Sequence, residues 1–327
     1  MNPGTPFEAA RHNQFSASSS FAGVPAVTLD DVAGARAVII GAPFDWGTTN
    51  RPGARFGPKM IRETDSLGAY GERPHVPTGL DALEGVVDIG DVVLSPGDIE
   101  GDLERIAATV EQVSAAGSIP IVLGGDHTIT YADATGVARV HGFGEVALVH
   151  FDAHADTGQT HGIGSLYGHG TPMRRLIESG AVPGHRFVQV GLRGYWPGPE
   201  VMAWMKEQRM RSYLMTEIEQ RGLPAVVDDA VRYAGDGAAG VFLSIDIDVV
   251  DPGMAPGTGT PEPGGLTARQ LLDTVRRLSR ELNIVGADIV EVSPPYDGPG
   301  AITSLLGNRV VLEILNGLAE RAAGVSS

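Results

Sequence analysis

The run Val146–Asp156 reads VALVHFDAHAD: an apolar segment gives way to His150, Asp152, His154 and Asp156, polar residues at every second position. Three other apolar segments end in the same kind of residue. Pro120–Leu123 runs into GGDHT and His127, Val241–Ile245 into Asp246 and Asp248, and Ile284–Val290 into Glu291. On an extended backbone, residues two apart project from one face, so Asp152, His154 and Asp156 point together, as do Asp246 and Asp248. Four carboxylates and two imidazoles then converge, and they repel one another unless cations neutralise them. Two divalent ions supply the four positive charges required, so a dinuclear metal site is the economical reading. Each motif alone has a plainer explanation, such as a helix cap, a surface pair or a histidine satisfied in a turn. Three clusters at strand ends favour the metal. His150 comes one polar position too early in its segment and is assigned a structural role.

The chain has no cysteine, so the ligands are His, Asp, Glu or backbone oxygen. That donor set suits harder divalent ions, Mn²⁺ first, with Ni²⁺ and Co²⁺ accepting similar ligands. GGDHT lacks the Lys-Ser/Thr of a P-loop and the G-x-G-x-x-G of a dinucleotide site, so it is not read as a phosphate cradle. A two-metal phosphoesterase would use the same residue types, but no basic cluster suggests a phosphate.

The elements that must position these residues alternate. Candidate strands are Ala37–Ile40, Val86–Ile89, Pro120–Leu123, Val146–Phe151, Phe187–Gln189, Val241–Ile245 and Ile284–Val290. Candidate helices are Pro58–Ser66, Ile99–Ala115, Tyr131–Val140, Pro172–Glu178, Glu200–Glu207, Ala225–Tyr233, Ala268–Leu282 and Ser304–Arg321. This is the pattern of one α/β layer fold with a mostly parallel sheet, whose ligands bind beyond the C-terminal strand ends. Residues 1–32 are polar and aperiodic, and read as an N-terminal extension on the surface or on a neighbouring subunit; residues 33–327 form the catalytic domain. With 327 residues, 42% of them hydrophobic, a full core is available. No apolar run reaches the length of a membrane span and no export signal is visible, so the expected location is the cytoplasm. The net charge of −16 disfavours nucleic acid and attracts a cationic substrate.

GGDH at Gly124–His127, HFDAHAD at His150–Asp156, SIDIDVVDP at Ser244–Pro252, APGTGTPEPGGL at Ala255–Leu266 and EVSPPYD at Glu291–Asp297 together resemble the ureohydrolases, the arginase and agmatinase family. The resemblance runs from about Gly41 to the last helix. It implies a three-layer α/β/α arginase-like fold, two Mn²⁺ ions sharing a hydroxide, and cleavage of a guanidino compound to urea and an amine. It assigns His127 and Asp156 to one ion and His154 and Asp248 to the other, with Asp152 and Asp246 touching both. Glu291 matches the position that meets the guanidinium, and His169 in LYGHGTP the one that protonates the leaving amine. It also implies a homo-oligomer, a trimer or hexamer. No metal ligand is missing by motif, which disfavours a pseudoenzyme subunit.

The substrate is less defined. Gly158 and Trp196 stand where arginases carry polar residues for the amino acid end of arginine, so free arginine is disfavoured. Ser165 still offers a hydroxyl, and Trp196 an apolar wall or a cation-π face. Agmatine suits these changes and is the first expectation. The alternatives are 4-guanidinobutyrate or another guanidino acid, with Arg193 or an N-terminal residue for its carboxylate, or a small guanidine, for which nickel enzymes are known among such relatives. His161, with no motif around it, is read as a loop residue without a task.

Overall fold

The computed structural model describes residues 20–64, 81–162 and 164–325. Eight strands form one sheet: β1 (Ala37–Ala42), β2 (Val86–Asp91), β3 (Ile119–Gly124), β4 (Val146–Phe151), β5 (Phe187–Leu192), β6 (Arg211–Leu214), β7 (Gly240–Asp246) and β8 (Ile284–Val290). Their order is β2-β1-β3-β8-β7-β4-β5-β6 and every pairing is parallel. The α-helices are α1 (Gly57–Glu63), α2 (Ile99–Ala115), α3 (Ile129–His141), α4 (Pro172–Ser179), α5 (Pro199–Glu207), α6 (Met215–Arg221), α7 (Leu223–Gly235), α8 (Ala268–Glu281) and α9 (Ile302–Ala322).

Strands β1, β4, β5, β7 and β8 are buried along their whole length, which is why they read as continuous apolar runs. The pleat divides them between two cores. Ile39, Val149 and Leu243 pack with residues of α7, α8 and α9, whereas Val38, Leu148 and Phe242 pack with residues of α2, α3 and α4. The three-layer α/β/α arrangement expected from the sequence is therefore the one observed, with a sheet wholly parallel rather than mostly so.

Two elements differ from expectation. The short strand β6, with sequence RSYL, and helix α6 after it carry too little apolar pattern to be read from sequence. Residues 1–19 of the expected extension, and Ser66 at the end of the expected first helix, lie outside the described residues. Residues 20–32 do not lie loosely on the surface: Phe21, Val24 and Val32 are buried, and the backbone at Pro25 and Val27 pairs with Asp88 of β2. No helix among the described residues is long and apolar enough to cross a membrane.

Candidate active site

Four adjacent strands, β3, β8, β7 and β4, end side by side, and the polar residues singled out in the sequence follow their last residues. After β3 the chain turns through Gly125, where a side chain is impossible because a Cβ would fall 1.7 Å from the Phe44 carbonyl oxygen. That close approach sets His127 at the start of α3. Its Nδ1 lies 3.1 Å from Asp152 Oδ2, 3.0 Å from Asp156 Oδ2 and 3.1 Å from Asp246 Oδ2, all buried. Its Nε2 is fixed by the Ser244 hydroxyl at 3.0 Å. Beside this group, His154 Nδ1 lies 3.1 Å from Asp248 Oδ2 and 3.5 Å from Asp152 Oδ1. Asp152 belongs to both groups.

Burial, then Asp248 and Asp152, push Asp246 well above the usual carboxylate range. His154 is opposed by burial, yet the charge of Asp248 and the bonds to both aspartates push it up to about 12. The protein alone does not balance this charge, and all the donor atoms are oxygen or imidazole nitrogen. One atom from each of His127, His150, Asp152 and Asp156 lies within 4.8 Å of the others, and so does one from each of Asp152, His154 and Asp248. The donor set fits a binuclear Mn²⁺ centre.

His150 reaches the cluster differently from the others. Gln189 Nε2 donates to its Nδ1 at 3.0 Å, which leaves Nε2–H to donate to Asp152 Oδ2 at 2.8 Å. The Gln189 amide is itself oriented, donating to Ala155 O and accepting from the Ser212 hydroxyl. Both imidazole nitrogens are thus engaged, and His150 aims a carboxylate.

Glu291 follows β8 in a left-handed conformation, φ 61°, and Asp156 has φ 50°. Such backbone costs about 1–3 kcal/mol per residue and persists where the surroundings enforce it. Glu291 Oε1 accepts from the His127 amide at 3.0 Å and from His169 Nδ1 at 2.9 Å. Among the described residues its Oε2 is buried with no partner, an acceptor left open at the floor of a cavity of about 290 Å³. The Thr49 amide nitrogen lies 3.2 Å from His169 Nε2, and the Thr49 hydroxyl oxygen lies 2.6 Å from the same atom. Burial opposes protonation of His169, but the Glu291 carboxylate, by charge and hydrogen bond, raises it to about 9. Asp126 holds the loop that delivers Thr49, accepting from Gly47 N at 2.8 Å and Thr48 Oγ1 at 3.2 Å. Burial, then the charge of Glu291, raise Asp126 to about 7.

His154, Asp156, His169, Trp196, Asp246 and Glu291 all line this cavity. Ser165 does not: its hydroxyl donates to Tyr167 O at 3.0 Å on the exposed side of the loop. Arg193 is engaged elsewhere: among the described residues its guanidinium donates only to backbone carbonyls, those of Gly191, Asp248, Val249, Glu262 and Pro263. His161, read from sequence as a residue without a task, is part of the cavity wall. Thr49, Asp126, Gln189 and Ser244 were not singled out by the sequence. Asp126 nevertheless lies within GGDH, and Ser244 opens SIDIDVVDP.

Residues 35–316 match the model of the arginase family. A guanidinopropionase of Pseudomonas aeruginosa is 42% identical over 97% of this chain and 97% of its own. A mitochondrial agmatinase of Gallus gallus is 41% identical over 86% of this chain and 81% of its own. The solved structure of proclavaminate amidinohydrolase from Streptomyces clavuligerus superposes with a TM-score of 0.86 at 35% identity, covering 94% of this chain and 99% of that one.

Proposed function

The chain belongs to the arginase family and is an amidinohydrolase cleaving a C–N bond of a guanidino compound; we propose that its own substrate is a guanidino acid with a short carbon chain. The observation that carries this reading is the outer wall of the cavity. Beyond Asp156, Asp246 and Glu291 on the floor, the described lining residues are threonines, glycines, His154, His161, His169 and Trp196, with no carboxylate to receive an ammonium tail. A carboxylate tail finds hydroxyl, amide and imidazole donors there. The guanidinopropionase match over nearly the full length of both chains supports the same choice. Agmatine is the second reading, favoured by the half-exposed indole of Trp196, which offers a cation-π face.

In this reading His127, Asp152, His154, Asp156, Asp246 and Asp248 hold two Mn²⁺ ions, which when bound supply Lewis acidity and a hydroxide nucleophile near neutral pH. Glu291 seats the guanidinium. Its Oε1 is fixed by His127 and His169, and its open Oε2 accepts a charge-assisted hydrogen bond from the planar cation. His169 holds the proton that the leaving amine requires, and with its pKa near 9 it carries that proton at neutral pH. The same reading keeps the chain in the cytoplasm as a homo-oligomer. Urea release from 3-guanidinopropionate, 4-guanidinobutyrate, agmatine, arginine and guanidine, each with Mn²⁺, Ni²⁺ or Co²⁺, tests it. The guanidino acids are expected to give the highest kcat/KM, with Mn²⁺; preference for agmatine would reverse the two readings, and no urea from any compound would end both.

A further inference from the structure

His161 lies in the loop between β4 and α4, and its backbone is pinned on both sides: its N–H donates to Ser165 O at 2.7 Å and its carbonyl accepts from Ser165 N at 3.1 Å. Its ring fills the space over Gly168, where a Cβ would come within 2.1 Å of the His161 ring carbon Cγ. The ring then meets His169 edge to face, with centroids 6.0 Å apart at 81°. His169 touches Glu291, where the guanidinium is seated, so His161 stands one ring farther out, on the cavity wall beside Thr160. Among the described residues neither ring nitrogen of His161 has a hydrogen-bond partner, in contrast to His127, His150 and His169. Burial and the neighbouring His169 hold its pKa below the ordinary value, so the free ring is neutral and presents one donor and one acceptor.

We propose that His161 receives the distal carboxylate of the substrate and thereby selects guanidino acids over guanidino amines. The proposal rests on the substrate class put forward above, and it supplies the tail contact that Arg193, tied to backbone carbonyls, does not. An imidazole N–H pointed at a carboxylate makes a charge-assisted bond, and the arriving negative charge favours a second proton on the ring. An ammonium tail would instead meet a ring whose neighbour His169 is already cationic. Because the loop backbone and Gly168 hold the ring in place, little side-chain entropy is lost on binding.

The test compares the manganese-loaded enzyme with His161→Ala and His161→Gln, measuring kcat and KM for 3-guanidinopropionate, 4-guanidinobutyrate and agmatine, with metal content as the check on the fold. For His161→Ala, KM for the guanidino acids is expected to rise about tenfold or more, on the scale of one lost charge-assisted hydrogen bond. Their kcat should move far less, and the ratio of kcat/KM for guanidino acid to that for agmatine should fall with it. His161→Gln, which keeps a donor, should recover part of the loss. Equal losses on all three compounds, or an unchanged guanidino acid KM, would overturn the assignment of His161. A parent enzyme that releases urea from agmatine alone would overturn the substrate class itself, before any variant is compared.

Discussion

At the β2 edge the guanidinium of Arg62 is buried against Asp88, with Nε and Nη2 donating to the two carboxylate oxygens at 2.8 and 2.9 Å and Nη1 to Asp91 at 2.6 Å. Asp88 also accepts from the amides of Phe21 and Gly90. At the ends of β3, β4 and β7, four equally buried aspartates face two imidazoles and crowd one another, and nearby Glu291 keeps an oxygen with no partner. Both regions take charge out of water, which is costly unless each charge is paired. The first is complete within the chain and ties the N-terminal segment to the sheet. The second is complete only with cations and substrate. Charge burial therefore marks function here where it is left unbalanced, and architecture where it is balanced.

The comparison breaks most directly at Asp152. Asp152→Ala removes the carboxylate common to both halves of the cluster, and should cost more than the roughly 10–100-fold typical of residues that only orient a ligand. Metal analysis and urea release should fall together, and a variant with normal manganese content and turnover would show that Asp152 is no ligand. Arg62→Leu should do the opposite. It leaves Asp88 buried without its partner, at about 3–5 kcal/mol of stability, while the protein that remains folded at low temperature keeps its metal; denaturant titration and metal analysis separate the two effects. Glu291→Gln is the mildest of the three and sharpens the contrast within the site. Loss of charge-assisted bonds to the guanidinium, worth about 1.5–3 kcal/mol, should lower kcat/KM while metal content stays constant. The same substitution removes the charge that raises His169. In the parent, protonated His169 persists up to about pH 9 and the alkaline limb of the rate profile follows its loss; in Glu291→Gln that limb should move to lower pH.

The six metal-binding candidates were legible in the sequence because the same chemistry recurs where apolar runs end, and a parallel sheet places such ends together. Asp152, His154 and Asp156 needed only the period of two. What the sequence did not disclose depends on contacts between distant segments. Thr49 meets His169 across 120 positions and His127 meets Ser244 across 117, and no local pattern announces either. Arg193 looked available because arginines commonly stay at the surface, yet the carbonyls of two loops converge on it. Strand β6 was missed because an edge strand reading RSYL needs no continuous apolar face.

The position of β8 has a consequence for how the molecule comes into being. It is the last strand of the chain, yet it lies between β3 and β7 in the middle of the sheet. Until it has been synthesised, β2-β1-β3 and β7-β4-β5-β6 are two separate ribbons, each with an inner edge of unpaired amides and carbonyls, the kind of edge that recruits other chains. Insertion of Ile284–Val290 joins them, and also brings Glu291 against His127 from 164 residues away. A growing or truncated polypeptide lacking this strand has no route to the finished pocket, so metal uptake is expected only once β8 has been inserted and the two ribbons have closed.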